Sequence, residues 1–336
     1  CRKRVMGAML KNEPQQEIAG PELGFDAHIP EGGYRWWYLD AFSDDGKAAL
    51  TIIVFVGSVF SPYYFRARRR QAGNPENFCS VNAILYGPDR RRWSLTERGA
   101  GDLTRGRDYI AIGPSRVDQC GEDRFTFLIH EVCNPWPTRL SGQIELSVPA
   151  LGKKSFELDP DGLHRWWPAA PAGRVKVTMP KPGISWEGAA YLDCNAGVVP
   201  LEQTFRNWHW QRSAAEAGCG HIHYDATLAN GERRSLGLRY DPDMSCSELA
   251  DSGRDTPISA TPLWRAQRLC RTVTGRPRVV ETLEESPFYA RSVLELDSGL
   301  GARKVMHESL HLDRFARPWM QWLLPFRMPR RSLVRA

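Results

Sequence analysis

Residues 34–56, YRWWYLDAFSDDGKAALTIIVFV, decide the fold class of this 336-residue chain. The stretch begins with a dense run of aromatic side chains and ends, over residues 48–56, in an apolar run rich in β-branched residues, which favour strands. Between them, Ser43-Asp44-Asp45-Gly46 has the composition of a β-hairpin turn. The stretch therefore predicts two antiparallel strands joined by a short turn.

The same pattern recurs along the chain. Residues 221–228 and 235–240 flank Asn230-Gly231, a strong hairpin signal. Helical periodicity is scarce, and only residues 262–272 predict an amphipathic helix, with Leu263, Ala266 and Cys270 on one face. Many short strands with few helices predict β-barrels or β-sandwiches. The other strand candidates are residues 79–86, 124–132, 141–148, 188–193, 202–212, 292–296 and 304–311.

A chain of this length is expected to form two domains. Residues 160–183 are rich in proline and glycine, and we place the boundary near residue 180. The predicted organisation is an N-terminal extension over residues 1–24, one β-domain over 25–180, a second over 181–312, and a basic aromatic tail over 313–336.

Charge and cysteine spacing exclude several classes of protein. The net charge of +6 is matched by six arginines in residues 314–336, which contain no acid, so the rest of the chain is close to neutral. A nucleic-acid-binding protein would carry a basic face through its fold, so no nucleic-acid partner is expected. The eight cysteines show no zinc-type spacing, which favours a reducing cytoplasm.

Two segments combine arginines with aromatic side chains, as membrane-surface segments do. They are residues 60–70, FSPYYFRARRR, and residues 314–336. No apolar run approaches the roughly 20 residues that span a bilayer. We therefore expect a cytoplasmic protein that contacts the membrane peripherally through its C-terminal segment. The alternative is a terminal element that packs on the core with solvated arginines.

Nucleotide-binding loops and the Gly-x-Ser-x-Gly nucleophile motif are absent from the sequence, so neither a dinucleotide nor an ATP cofactor is expected. Strand alternation places His221, His223 and Asp225 on one face, and likewise His307 and His311. Such side chains could bind zinc or iron. A solvated polar strand face explains them more simply, and we expect no metal site.

A third group of residues centres on an isolated acid. In residues 188–193, GAAYLD, strand alternation points Tyr191 and Asp193 the same way. A carboxyl group among apolar side chains loses hydration, which raises its pKa and keeps it protonated as an acid. His164, Trp166 and Trp167 precede this segment. The alternative for Asp193 is a turn-capping or ion-paired surface acid.

Five segments resemble the carotenoid 1,2-hydratase family, also called hydroxyneurosporene synthase. They run within residues 33–41 (GYRWWYLDA), 60–64 (FSPYY), 134–136 (NPW), 164–168 (HRWWP) and 191–195 (YLDCN), and the similarity extends over residues 33–312. The resemblance implies two lipocalin-like β-domains packed together, with the site near their junction. It also implies a lyase of the carotenoid pathways of photosynthetic bacteria, so the membrane expected from the basic aromatic segments is the inner photosynthetic membrane. Hydration needs no redox step or metal, so no cofactor is expected.

Carried over to this sequence, the resemblance implies that Asp193 donates the proton, with Tyr191, Trp166 and His164 as its aromatic and polar supports. The expected substrate is an acyclic carotenoid of the lycopene or neurosporene type, together with water. Protonation of the terminal double bond would leave a tertiary cation facing Trp166 and Tyr191, and a water held by His164 or Tyr191 would capture it.

Three other functions remain open from the sequence. A lipocalin-like barrel could carry an apolar isoprenoid without catalysis. A cofactor-free cyclase or isomerase could use similar aromatic side chains without forming a hydroxylated product. A metal hydrolase would act through His221 and His223.

Overall fold

The computed structural model describes residues 23–71, 73–87, 91–213, 219–297 and 302–331. These residues form two large antiparallel sheets, of twelve and seven strands, and a separate two-stranded ribbon. Most of the predicted N-terminal extension and the last five residues of the tail lie outside the described residues.

The first sheet has the strand order β4-β3-β2-β1-β12-β11-β9-β8-β7-β6-β5, and β10 pairs with β11. It curls on itself, so that Val54, Val81, Ile110 and Ile129 from distant strands share one buried core. Its strands are β1 (Tyr34–Ser43), β2 (Ala49–Val56), β3 (Cys79–Tyr86), β4 (Arg92–Arg98), β5 (Leu103–Gly106), β6 (Tyr109–Ile112), β7 (Ser115–Gln119), β8 (Arg124–Val132), β9 (Arg139–Ser147), β10 (Phe156–Glu157), β11 (His164–Lys181) and β12 (Ile184–Gly197).

The second sheet has the order β16-β15-β14-β13-β21-β20-β19, and β17 pairs with β18 in the ribbon. Its strands and those of the ribbon are β13 (Phe205–Ser213), β14 (Gly220–Leu228), β15 (Arg233–Tyr240), β16 (Cys246–Glu248), β17 (Arg254–Ile258), β18 (Arg268–Thr272), β19 (Arg278–Glu285), β20 (Tyr289–Asp297) and β21 (Ala302–His311). The helices are α1 (Pro62–Arg68), α2 (Leu201–Thr204), α3 (Leu312–Phe315) and α4 (Pro318–Arg327), with 3₁₀ turns at Pro75–Asn77 and Ala100–Asp102.

Strand β1 is buried on both faces because it separates two cores. Trp37 and Leu39 point into the core enclosed by the first sheet. Tyr34, Trp36 and Tyr38 point the other way, into a core that the second sheet completes with Trp208, Trp210 and Tyr224. Alternation along one strand thus produces two apolar layers, which explains the density of aromatic side chains in the sequence.

The fold class predicted from the sequence, mostly antiparallel β with few short helices, is confirmed. The hairpin of residues 34–56 forms as β1 and β2. The Asn230-Gly231 turn joins β14 and β15, with Gly231 at a φ of +91°, in the left-handed region that glycine adopts without strain.

The boundary predicted near residue 180 does not separate the two sheets. Residue 180 lies in β11, and β12 then pairs with β1 and β11 of the first sheet. The change of sheet falls between Gly197 and Phe205. Pro168 and Pro171, which the sequence suggested as linker residues, sit in β11 next to shifts of register with β12, where a missing N–H is tolerated.

The helix predicted over residues 262–272 is wrong. A turn occupies residues 262–264, and residues 268–272 form β18. Arg268, Cys270 and Thr272 are its buried residues, which is the two-residue period of a strand. The apolar positions of this short segment are compatible with both helical and strand periodicity, and the segment forms a strand because it pairs with β17.

Candidate active site

Asp193 lies on β12, directly opposite Tyr38 of β1, and its side chain points into the space between the two sheets. Only 5% of the residue is exposed. Three neighbours donate hydrogen bonds to its carboxyl group: Trp166 Nε1 (3.0 Å) and the Tyr191 hydroxyl (2.9 Å) to Oδ2, and Asn195 Nδ2 (3.3 Å) to Oδ1. The acid is therefore buried and held in one orientation.

Burial raises the pKa of Asp193 from its usual 3.8 to about 8. The donors Trp166 and Tyr191 act in the opposite direction, because they stabilise the charged form, whereas the carboxylates of Glu308 and Asp40 raise the pKa further. Loss of hydration outweighs the hydrogen bonds here. Asp193 is thus a carboxylic acid that keeps its proton at neutral pH.

The rings around this acid come from both sheets. Trp166 packs against Tyr224 with 5.2 Å between ring centroids, and Tyr191 packs against Trp210 at 5.3 Å. Tyr38 meets Tyr191 edge to face at 6.2 Å. The π-faces and ring edges of these side chains give Asp193 surroundings of low polarity in which a positive charge can be stabilised.

His164 is not brought into contact with Asp193. Its Nδ1 lies 2.8 Å from the Tyr34 hydroxyl and its Nε2 lies 2.8 Å from Thr204 Oγ1. Burial lowers the pKa of His164 to about 3, so the ring is neutral. Of the four residues proposed from the sequence, the structure assembles Asp193, Trp166 and Tyr191, and it places His164 in a neighbouring pair of hydrogen bonds.

A cavity of about 390 Å³ lies between the sheets, next to this cluster. Trp36 and Tyr38 line it, and the same two residues pair in register with Asn195 and Asp193. Asp193 does not itself line the cavity, but its side chain lies beside that of Tyr38, which does. The other aromatic side chains of the wall are Phe55, Phe60, Trp93, Trp208, Trp264, Phe288, Tyr289 and Phe326.

The cavity wall also carries charged side chains, which are Glu284, Glu285, Arg291, Glu308 and Arg327. Glu308 of β21 accepts at Oε1 from Arg291 Nη2 at 2.5 Å and from the Tyr38 hydroxyl at 2.7 Å. Arg291 is almost fully buried and also donates to the Tyr289 hydroxyl at 3.0 Å. The opposite charges of this buried ion pair cancel, and the additional hydrogen bonds to Tyr38 and Tyr289 fix its orientation.

A second ion pair, between Asp40 of β1 and Arg212 of β13, crosses from one sheet to the other. Tyr38 lies between the two pairs, because its hydroxyl is also 3.0 Å from Asp40 Oδ2. Tyr38 can donate its single hydroxyl proton to only one of the two carboxylates at a time, so the hydrogen bonding of one ion pair depends on that of the other.

Glu308, Arg291 and Tyr38 did not emerge from the sequence as site residues. One signal was available for Glu308. In β21 it alternates with Met306 and Leu310, both fully buried, and an acid on an otherwise apolar strand face needs a buried partner or a function.

The cavity opens beside an exposed apolar surface, here called the entrance surface, formed by the turn at residues 263–264 and by α4. Trp264 stacks on Trp319 at 6.3 Å, and Arg327 lies over Trp93 at 4.3 Å. Trp322 and Phe326 are 75% and 77% exposed. The surface consists of Leu263, Trp264, Trp319, Trp322, Leu323 and Phe326.

The two basic aromatic stretches of the sequence meet in the structure. Helix α1, within the first stretch, contacts α4, within the second, and Arg66 Nη2 donates to the Gln321 carbonyl at 3.1 Å. Tyr64 and Phe65 of α1 are buried, so α1 packs on the core and α4 packs against it. None of the helices in the described part of the chain is long and apolar enough to cross a membrane.

The alternative metal ligands have other partners. Arg271 forms an ion pair with Asp225 at 2.7 Å, while His307 and His311 lie at hydrogen-bond distance from backbone carbonyls of residues 269 and 267. Among the described residues, no three His, Cys, Asp or Glu side chains are grouped as metal ligands. These polar residues join the second sheet to the ribbon and the segment leading into it.

The two sheets, the aromatic cavity and the buried acid define a class: a lipocalin-like β-protein with an apolar cavity beside a buried acid. Comparison supports the fold. An AttH-type protein from Nitrosomonas europaea superimposes with a TM-score of 0.59 over 91% of this chain and 99% of that one, at 13% identity.

Sequence comparison identifies the family. The pattern of the family described as carotenoid hydratase CrtC matches residues 52–336. Acyclic carotenoid 1,2-hydratases from Thiocapsa roseopersicina and Rubrivivax gelatinosus are 44% and 42% identical to this chain, over 91% and 92% of it and 75% and 76% of their own lengths. The chain belongs to the carotenoid hydratase family and is an enzyme of the hydratase class, which favours catalysis over the carrier function.

Proposed function

We propose that the enzyme adds water across the terminal 1,2 double bond of an acyclic carotenoid of the lycopene or neurosporene type, with Asp193 as the proton donor. The observation that carries this proposal is the buried Asp193 carboxyl group, whose pKa is raised to about 8, beside an aromatic cavity. The family and its acyclic carotenoid 1,2-hydratases support the substrate class.

The first step of the proposed reaction is protonation of C-2 of the alkene by Asp193. Because Asp193 lies beside Tyr38 and does not itself line the cavity, the proposed reaction requires the Tyr38 side chain to move as the substrate end enters. The proton goes to the less substituted carbon, and C-1 becomes a tertiary cation.

The second step is stabilisation of this cation. An aromatic face desolvated against a cation is worth ~2 kcal/mol or more, and each ~1.4 kcal/mol corresponds to about tenfold in rate. Trp36, Tyr38 and Trp208 present such rings to the cavity. Asp193, now a carboxylate, adds a negative charge close to the cation.

Water then forms the C–O bond at C-1 and loses a proton. Together the steps add one proton to C-2 and one hydroxyl group to C-1. Substrate and water undergo no net oxidation or reduction, so the reaction needs no redox cofactor. The proposed reaction is therefore cofactor-independent.

Oxygen-18 water and an Asp193→Asn variant test this proposal together. With a lycopene-type substrate, the wild-type enzyme is expected to form a 1-hydroxy product that carries the label. Asp193→Asn keeps the shape and removes the acid, so the rate should fall by about two to four orders of magnitude, the usual contribution of a general acid.

The matched control is Asp44→Asn, because Asp44 is an exposed acid paired with Arg174, and it should retain the wild-type rate. Unlabelled product, or an Asp193→Asn variant as active as this control, would contradict the proposal. Bound substrate without any product would instead indicate a carrier.

We also propose that the enzyme works on the cytoplasmic side of the photosynthetic membrane and takes its substrate directly from the bilayer. The cavity is lined at its opening by Trp264, Leu323 and Phe326 of the entrance surface. A cavity of about 390 Å³ fits one end of a long polyene, so the rest of the substrate could stay in the lipid. Aromatic and cationic side chains together suit the headgroup region.

A further inference from the structure

Glu308 faces the cavity from the sheet opposite Asp193. Asp193 lies on β12 of the first sheet, and Glu308 lies on β21 of the second. Glu308 lines the cavity directly, and its charge contributes to raising the pKa of Asp193. The two carboxyl groups thus lie on facing sheets, with Glu308 at the cavity wall and Asp193 beside Tyr38, which also lines the cavity.

The partners of Glu308 engage only one of its two carboxylate oxygens. Its Oε1 accepts from Arg291 and Tyr38, and within the described part of the chain no hydrogen bond reaches Oε2. Glu308 is thus the acid of an ion pair with the buried Arg291. Asp193 has the reverse arrangement, because its three contacts come from neutral donors and no arginine pairs with it among the described residues.

The chemistry of hydration requires two groups with these opposite properties. A protonated acid must give a proton to C-2, and a base must take a proton from the water that attacks C-1. A water molecule hydrogen-bonded to a carboxylate is already oriented with its lone pair free, and the carboxylate lowers the barrier by removing the proton as the C–O bond forms.

We infer that Glu308 is the catalytic base of this reaction: its Oε2 binds the reacting water molecule and accepts its proton. The inference rests on the proposed function and adds a second catalytic residue to it. In each turnover the Asp193 proton goes to C-2, the water oxygen bonds to C-1, and one water proton goes to Glu308. Glu308 then releases its proton to solvent and Asp193 takes one up, so charge and atoms balance.

Glu308→Gln separates the two proton transfers. In deuterium oxide, Asp193 of this variant can still deliver a deuteron to C-2, but the cation finds no base to deprotonate the incoming water. It returns a proton to Asp193, and deuterium accumulates at C-2 of the recovered substrate. We expect hydration to fall by about 10²-fold or more, while exchange into the substrate continues and exceeds hydration.

The readout is the ratio of exchange to hydration in one sample, which does not depend on the fraction of folded enzyme. This matters because Glu308→Gln leaves the buried Arg291 without its partner. Glu308→Asp keeps a negative charge beside Arg291 but moves the carboxylate back by one methylene group. It should therefore also raise the ratio of exchange to hydration, in a variant that is more stable than Glu308→Gln. Glu295→Gln is the matched control, since Glu295 lies on the same sheet outside the cavity and pairs with Arg278. It should leave the ratio unchanged.

Hydration by Glu308→Gln within about threefold of the wild-type rate would overturn the inference. So would a folded variant that loses exchange and hydration in equal proportion, because Glu308 would then act before or during protonation. Failure of the proposed function gives a different result: the wild-type enzyme would form no product, or Asp193→Asn would retain both exchange and hydration.

Discussion

At the scale of single residues, the pKa of Asp193 sets the pH range of the proposed reaction. The active form of Asp193 is protonated, so the rate should fall about tenfold per pH unit above about pH 8, the pKa of Asp193. Trp166→Phe removes a donor that stabilises the charged form, so the alkaline limb should move to higher pH. Rate–pH profiles of both proteins measure this, and a limb that stays in place or moves down would contradict it.

The same burial makes Asp193 costly for stability. The pKa of Asp193 is near 3.9 in an unfolded chain and about 8 in the folded one. Ionisation of this group therefore costs no stability below pH ~3.9, and the free energy of unfolding falls progressively as pH rises from there toward 8. Each pKa unit corresponds to ~1.4 kcal/mol. Asp193→Asn has no such titration and should gain at least ~2 kcal/mol relative to wild type between pH 5 and pH 8.

Urea unfolding at pH 5 and pH 8 measures this difference. The amide can also be accommodated, because Asn195 Oδ1 has no hydrogen-bond partner among the described residues and can accept from the new NH₂ group after a flip. Asp44→Asn serves as the control: a hydrogen bond from Arg174 holds the pKa of Asp44 below its usual value, so its effect should be flat over this range. Equal pH dependence in the two variants would contradict the prediction.

The sequence could place Tyr191 beside Asp193, because residues two apart on a strand share a face. It could not exclude His164 from the cluster. His164 and Trp166 also share a strand face, but they are ~7 Å apart along it, and only the longer indole reaches Asp193. Glu308 comes 115 positions later in the chain, and its approach to Asp193 depends on how the second sheet packs.

At the scale of elements, alternation and turn chemistry predicted most strands, because each strand carries its own two-residue pattern. Strand β3 was predicted with its observed bounds, and β14 within one residue. Strand β11 could not be found in this way. Its prolines and glycines have the composition of a linker, and the strand forms because β9 and β12 pair with it on either side.

The pairing of β12 with β1 is close at one point. A Cβ added at Gly188 would lie 1.8 Å from the backbone oxygen of Phe42, so the two strands would have to separate. Gly188→Ala should therefore lower the free energy of unfolding by ~3 kcal/mol, as overpacking does at rigid positions. Denaturant unfolding measures it.

Gly101→Ala provides the control, because an added Cβ there meets nothing within 4 Å and should change stability by less than ~0.5 kcal/mol. If the two alanine variants were equally stable, the contact between β12 and β1 would be looser than the structure indicates.

At the scale of the whole molecule, the chain builds a closed core in the first sheet and a second, aromatic core against it. The first core contains ordinary aliphatic residues such as Leu50, Ile52 and Ile144. The second contains the charged pairs and the acid, and it is formed where the two sheets meet. The proposed function therefore lies between the sheets, while the first sheet supplies a stable support.

The entrance surface connects this interior to the proposed membrane site. Leu263 and Trp322 are 73% and 75% exposed and do not line the cavity. Insertion of an apolar side chain into lipid is worth ~1.5–3 kcal/mol. Leu263→Ser combined with Trp322→Ser should therefore weaken binding to anionic vesicles at least tenfold. Hydration of detergent-dispersed substrate should change less than twofold, because the cavity is untouched.

Vesicle sedimentation and hydration of vesicle-embedded substrate measure the two halves of this prediction. Val273→Ser is the control, since Val273 is 60% exposed outside the entrance surface, and its binding should equal that of the wild type. Binding should also strengthen with the anionic lipid fraction and weaken with salt, because the neighbouring Arg314, Arg317 and Arg327 are cationic. A double variant that binds vesicles as well as Val273→Ser would show that the substrate enters from elsewhere, whereas equal losses on vesicles and in detergent would indicate damage to the cavity.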